Sequence, residues 1–160
     1  MTNDGRTAEE SMVTLGQVML PNDANPSGDI HGGVVMKLID TAAGLTATRH
    51  PRSRCVTVAM DSMTFEGPVH IGDLLHLHSV LTWTGRTSME IEVTVEAENI
   101  LAGTRRRTST AYLVYVALDA DGHPKPVPPL SPTTDEERAR WAAAERRRAV
   151  RLAHMESASR

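Results

Sequence analysis

The stretch Leu20-Pro21-Asn22-Asp23-Ala24-Asn25-Pro26-Ser27-Gly28-Asp29-Ile30-His31-Gly32-Gly33, continuing through Val34-Val35-Met36-Lys37-Leu38-Ile39-Asp40, decides how the rest of the chain is read. Its first half is turn chemistry: Asn, Asp, Pro, Ser and Gly each hold a bend by a side-chain hydrogen bond or by backbone freedom. Its second half predicts a helix that opens on Gly32-Gly33. The first amides of a helix lack partners within it and sit at the positive end of its dipole. Glycines there let an anion, or an oxygen that becomes one during a reaction, come close. The spacing carries the helix from about His31 to Thr48, where His50-Pro51 stops it.

At 3.6 residues per turn, Val34, Val35, Leu38, Ile39, Ala42 and Leu45 share a broad face expected to lie on a core. Asp40 points the opposite way, among Gly33, Met36, Ala43, Gly44 and Ala47, with Lys37 as the only other charge. Such small neighbours predict a covered back face, which makes Asp40 a candidate general base or nucleophile. The plainer alternative pairs Asp40 with Lys37, three residues earlier on the helix. Asn25 likewise has a plain reading, an Asn that bonds its own backbone in a turn.

Outward from this helix the chain reads as strands. Met12 to Met19 precedes it, and Cys55 to Phe65, rich in Val, Thr and Met, follows. Leu74 to Thr84 sets Leu75, Leu77, Ser79, Leu81 and Trp83 against His76, His78, Val80 and Thr82, and Gly85-Arg86 turns it into a hairpin. Ser88 to Glu98 alternates most cleanly, Met89, Ile91, Val93, Val95 and Ala97 against Glu90, Glu92, Thr94, Glu96 and Glu98, as a half-buried antiparallel strand does. Thr104 to Leu118 is a long last strand. After a proline-rich connector, Thr134 and Glu137 offer a capping box for a helix to about His154, acidic residues first and arginines last. The expected fold class is α+β, one long helix inserted early into a run of four or five antiparallel strands, with an extra C-terminal helix. Residues 1–10 are expected to be disordered, 11–130 to form the domain and 131–160 a helical extension. The face of the helix turned away from the sheet needs a further cover, for which a second copy is the economical candidate.

Composition narrows the function. The formal charge of −3 argues against a dedicated nucleic-acid binder, and aromatics at 3% leave few platforms for stacking bases. One cysteine, Cys55, excludes an internal disulfide framework and any multi-cysteine metal site. No apolar run resembles a signal peptide or a membrane span, so the chain reads as cytoplasmic and without a membrane partner. His76 and His78 share a strand face but lack an evident third ligand, so no metal is expected. Asp61 reads as a structural polar residue, and Arg146-Arg147-Arg148 as a solvated helix face or an oligomer contact.

Pro21 to Asp40, as P-x-D-x-N-x-x-G-D-I-x-G-G-x-x-M-x-x-x-D, closely resembles the signature of the acyl-CoA hydrolase subfamily of hotdog-fold thioesterases. That subfamily includes bacterial broad-range and cytosolic brain-type enzymes. Val56-Thr57-Val58 leading to Met63-Thr64-Phe65-Glu66-Gly67-Pro68-Val69, with Ile71-Gly72-Asp73, and Tyr115-Val116-Ala117-Leu118-Asp119 with Gly122 and Pro124, are similar to it too. The resemblance spans about Met12 to Pro129 and leaves out the C-terminal helix. It implies a hotdog fold in which two subunits join their sheets, with active sites at the subunit interface, and assembly as a trimer of such dimers, a hexamer. It implies hydrolysis of short- to medium- or long-chain acyl-CoA to free acid and CoA. Asp40 and Asn25 would be catalytic and come from opposite subunits. Asp40 would act on water as a base or attack the carbonyl directly; the amides of Gly32 and Gly33 would hold the oxyanion. No cofactor is expected, since CoA is part of the substrate. Arg54, Arg86, Arg105 and Arg107 are candidates for the CoA phosphates, because guanidinium suits phosphate. Two other functions fit the same residues: a hydroxyacyl-thioester dehydratase using His31 with Asp40, although the His-Phe-Pro signature is missing, and a non-catalytic acyl-CoA binding protein.

Overall fold

In the computed structural model, which describes residues 5–159, five strands form one antiparallel sheet in the order β1-β3-β4-β5-β2. The strands are β1 (Val13–Val18), β2 (Cys55–Phe65), β3 (Leu74–Thr84), β4 (Ser88–Asn99) and β5 (Thr104–Ala117). Helix α1 (Gly32–Arg49) lies across the inner face and touches every strand; α2 (Asp135–Ala158) lies on the outer face against β3. The alternation of β4 does what alternation should: Met89, Ile91, Val93, Val95 and Ala97 are all 0% exposed beneath α1.

Three expectations need correction. The buried stripe of α1 runs through Val35, Ile39, Ala42, Ala43, Thr46 and Ala47, while Leu45 is 47% exposed. The sheet seats the small alanines because they let the helix backbone approach closely, and the stripe is rotated towards them. Residues 5–10, expected to be disordered, are tied down. Arg6 donates its backbone N–H to Pro129 O at 2.9 Å and accepts from Ser131 N at 2.9 Å, and Ala8 is buried; residues 1–4 of the same expectation lie outside the described residues. Finally, α2 continues to Ala158, so its arginines stand in mid-helix and no basic residue occupies its last turn. Its predicted capping box is present, with Thr134 Oγ1 accepting from Glu137 N.

Helix α2 also explains why Glu90, on the polar side of β4, is 1% exposed. A register shift between Leu81 and Trp83 makes Thr82 the extra residue and turns Trp83 to the outer face. There the ring of Trp83 meets Trp141 of α2 with centroids 6.0 Å apart. Arg147 of α2 donates two hydrogen bonds to the Glu90 carboxylate, at 2.7 and 3.1 Å, and its guanidinium lies 3.7 Å over the Tyr112 ring. Arg151 pairs with Asp61, whose carboxyl burial pushes above its usual range despite that partner. The apparently basic helix is thus pinned to the sheet by its arginines.

Candidate active site

The site residues fall into two groups along α1. At its start, the turn closes as its composition requires: Gly28 N donates to Asn25 O at 3.0 Å, and Gly28 takes φ +89°, a conformation that suits glycine. Asn25 Oδ1 accepts from Ser27 N at 2.9 Å, the expected self-bonding of a turn asparagine. Its Nδ2 has no partner among the described residues, so the amide is oriented by one end and open at the other.

His31 is the N-cap of α1, and its Nδ1 accepts from Gly33 N at 2.9 Å. One of the two amides expected to hold an oxyanion is therefore already taken. The amide of Gly32 makes no hydrogen bond among the described residues. A Cβ at Gly32 would meet the Phe65 ring at 3.4 Å, an ordinary contact, so the end of β2 packs directly against the helix start. Beside them opens a cleft of about 380 Å³ lined by Asp29, Gly32, Val35, Phe65, Pro68 and Val69, among others. A larger groove of about 930 Å³ runs between α2 and Val58–Ser62 and contains none of the residues singled out for chemistry or CoA binding.

Asp40 lies two turns further along α1, about 12 Å by helical rise. Its Oδ1 accepts from Tyr115 Oη at 2.6 Å and from Thr57 Oγ1 at 2.9 Å. Thr57 and Tyr115 are direct cross-strand partners of β2 and β5, so a single step of the ladder brings both hydroxyls to one carboxylate oxygen. Oδ2 has no partner among the described residues. Lys37, the pairing offered by helical spacing, forms no ion pair among them. Burial, and then the hydrogen bond to Asp40, raise the Tyr115 phenol above its usual pKa, so it stays a donor. Sequence reading gave Thr57 and Tyr115 no role. The available signal was a hydroxyl on each of two apolar strands, but only the β2–β5 register shows that they meet.

Within one chain, the covered back face expected around Asp40 is only partly covered: Ala43 and Ala47 are buried on the chain's own sheet, while Asp40 is exposed and Met36 is 42% exposed. The four candidate arginines are not brought together either. Arg54 and Arg86 stand at one end of the sheet, where their carbonyls accept from Leu118 N and Val127 N. Arg105 and Arg107 stand at the other, near Phe65, with Arg105 paired to Glu96 at 3.3 Å. An 11-residue strand separates the two ends by roughly 35 Å. Asp119, Asp121 and His123 gather at one turn, but Asp119 Oδ1 there accepts from Asp121 N and His123 N, which accounts for the cluster as turn geometry. Cys55 is half-buried, its thiol pushed up to about 11 by burial, and is no nucleophile at neutral pH.

Residues 27–103 match the thioesterase superfamily. The chain is 40% identical over 136 residues to an uncharacterised acyl-CoA thioester hydrolase of Bacillus subtilis, covering 85% of this chain and 79% of that one. It is 36% identical over 137 residues to the mouse cytosolic acyl coenzyme A thioester hydrolase, 84% of this chain but only 36% of that longer protein. Among solved structures, an apo-hexameric acyl-CoA thioesterase superposes with a TM-score of 0.92 at 39% identity, covering 95% of this chain and 97% of that one. An acyl-CoA hydrolase of Staphylococcus aureus, in complex with butyryl coenzyme A and coenzyme A, gives 0.89 at 30% identity, covering 96% and 94%. That enzyme is also known as single alanine variants of an aspartate, an asparagine and a threonine. A hexameric thioesterase of Yersinia pestis gives 0.67 at 32% identity, with 96% of it matched but only 78% of this chain.

Proposed function

We propose, from the premise that this chain belongs to the thioesterase superfamily among the acyl-CoA thioester hydrolases, that it hydrolyses acyl-CoA to a free carboxylic acid and CoA with Asp40 at the centre of the reaction. The observation that carries this reading is the Asp40 carboxylate: one oxygen is fixed by Thr57 and Tyr115, and the other is open on the exposed face of α1. The three residues substituted in the Staphylococcus aureus enzyme stand at the same chain intervals as Asn25, Asp40 and Thr57 here, which supports giving those three a place in the site.

The two groups on α1 are too far apart to act on one thioester within a chain, which favours a site made by two copies. Among the described residues β2 is hydrogen-bonded only to β5, which leaves its outer edge to pair with the same strand of a second copy. About a two-fold near Asp61, Thr57 would stand opposite Phe65 of the second copy, and that Phe65 lies against Gly32. Asp40 of one chain would then face Gly32 and Asn25 of the other. The same pairing would cover Met36 and Leu45. A trimer of such dimers is the assembly that the hexameric neighbours favour.

In that site Asp40 Oδ2 accepts a proton from a water whose oxygen bonds to the thioester carbon. The carbonyl oxygen, now negative, takes hydrogen bonds from Gly32 N–H and from the open Nδ2 of Asn25. The C–S bond breaks, and the proton held on Asp40 passes to the CoA sulfur. Direct attack by the same oxygen, through an anhydride, would use the same atoms up to the point where water enters. His31 is a poor acid–base partner for Asp40, because its Nδ1 is engaged by Gly33 N–H as the cap of α1. Of the four arginines, Arg107 and Arg105 share the end of the sheet that carries Gly32 and are the better placed for CoA phosphates.

The test is thiol release from a series of acyl-CoAs, short to long, with wild type and Asp40→Asn. Loss of the base is expected to lower turnover by about 100- to 10,000-fold while CoA still binds. Near-normal turnover by the variant would sink the assignment, and wild-type binding without turnover would make the chain an acyl-CoA binding protein.

A further inference from the structure

Resting on the reading of Asp40 as the reacting carboxylate, we propose that Tyr115 is a positioning residue of the site. Its hydroxyl and that of Thr57 reserve Oδ1 as a permanent acceptor, so that Oδ2 alone carries the reactive lone pair. The phenol has one proton and two acceptors within reach, Asp40 Oδ1 at 2.6 Å and the Asp40 backbone O at 2.9 Å. The shorter contact has the length of a hydrogen bond to a charged oxygen, and the charged acceptor takes the proton. The Tyr115 ring is 2% exposed and comes from β5, a central strand, so the hydroxyl is held by the sheet and not by a loop. Gly44, one turn beyond Asp40 on the same helix face, lies beneath it: a Cβ there would already touch the hydroxyl at 3.6 Å. The small residues beside Asp40 thus make room for this phenol. With both lone-pair directions of Oδ1 that face the sheet occupied, rotation about Cβ–Cγ would break two hydrogen bonds at once. The carboxylate plane is fixed, and Oδ2 points away from the sheet.

Two measurements test this. In the first, Tyr115→Phe keeps the ring and removes only the hydroxyl. kcat is expected to fall by about ten- to a hundredfold, the span of one hydrogen bond to a charged group, with KM within about twofold of wild type. A merely structural tyrosine would move KM and thermal stability as much as kcat, and a variant with kcat within twofold of wild type would overturn the proposal. The second needs no substrate. The chain has two tyrosines, Tyr112 and Tyr115, so protein labelled with 13Cζ-tyrosine gives two resonances. The ionisable groups near the Tyr115 ring are Asp40 from α1 and Cys55 from β2, and Cys55 is common to both proteins compared. At neutral pH, Asp40→Asn is expected to displace the Tyr115 resonance and leave that of Tyr112 in place, as the charged acceptor becomes a neutral amide. An unmoved Tyr115 resonance would overturn the proposal whatever the substrate is. Absence of turnover in wild type would instead overturn the acyl-CoA reading and leave the resonance to judge the tyrosine.

Discussion

Replacing Arg147 by Met isolates what holds α2 to the sheet. In the native chain the Glu90 side chain is 2% exposed and accepts two hydrogen bonds from Arg147 and one, at 2.8 Å, from Thr82 Oγ1. Removing the arginine leaves a desolvated carboxylate with a single hydroxyl donor. Breaking one side of a buried pair costs about 3–5 kcal/mol, because the remaining charge is uncompensated. In a domain of this size each kcal/mol moves Tm by about 2–4 °C, so Tm should fall by about 6–20 °C. The assay is thermal unfolding by circular dichroism at fixed protein concentration and neutral pH. The double variant Glu90→Met with Arg147→Met removes both charges and should recover most of the loss, since a packed apolar pair commonly matches a buried ion pair. Thr82 Oγ1 keeps its bond to Glu90 O, at 3.1 Å, in that background. Because the pair lies on the face of the sheet opposite α1, kcat should stay within about twofold of wild type at temperatures where the variant is folded. A fall in Tm under about 2 °C for Arg147→Met would refute the reasoning, for it would give the pair only the worth of a solvated surface bridge.

His50 supplies a pH dependence. It is 1% exposed, burial holds its imidazole below the usual pKa, and its Nε2–H donates to Pro128 O at 2.8 Å. The folded state therefore binds its proton less readily than the unfolded state does. Stability from this group is full above about pH 6.5 and lost as pH falls below it. A Tm profile should show that decline in wild type and a flatter one in His50→Gln; parallel profiles would remove His50 as the cause. Replacing His31 by Ala deletes the N-cap of α1 and should cost about 1 kcal/mol in urea unfolding, with no measurable loss counting against the Gly33 contact.

How much of this was legible beforehand differs by residue. The strands were readable because β3 and β4 alternate, β2 is rich in Val, Thr and Met, and Gly, Pro and Asp mark turns between them; their observed ends depart little from those read off the sequence. Gly32 and Asp40 stand out as candidates because a helix start and an isolated carboxylate among small side chains each leave a local mark, whereas Asn25 reads locally as a turn residue and becomes a candidate only through the family resemblance. Their separation into two groups was equally implicit in the chain, since eight residues of helix fix a distance of about 12 Å.

What the sequence alone determined is local: where the backbone turns, where α1 begins, which face of β4 is dry, and how α2 is capped. Each follows from neighbours within a few residues, through hydrogen bonds and side-chain period. What only the tertiary structure decided is contact at long range. The β2–β5 register sets Thr57 beside Tyr115 and both on Asp40 Oδ1. A bulge in β3 sends Trp83 outward to Trp141, and α2 buries Glu90 on a face that alternation marks as wet. A strand pattern says which side a residue takes but not what will cover that side. That cover comes from packing between elements far apart in the chain.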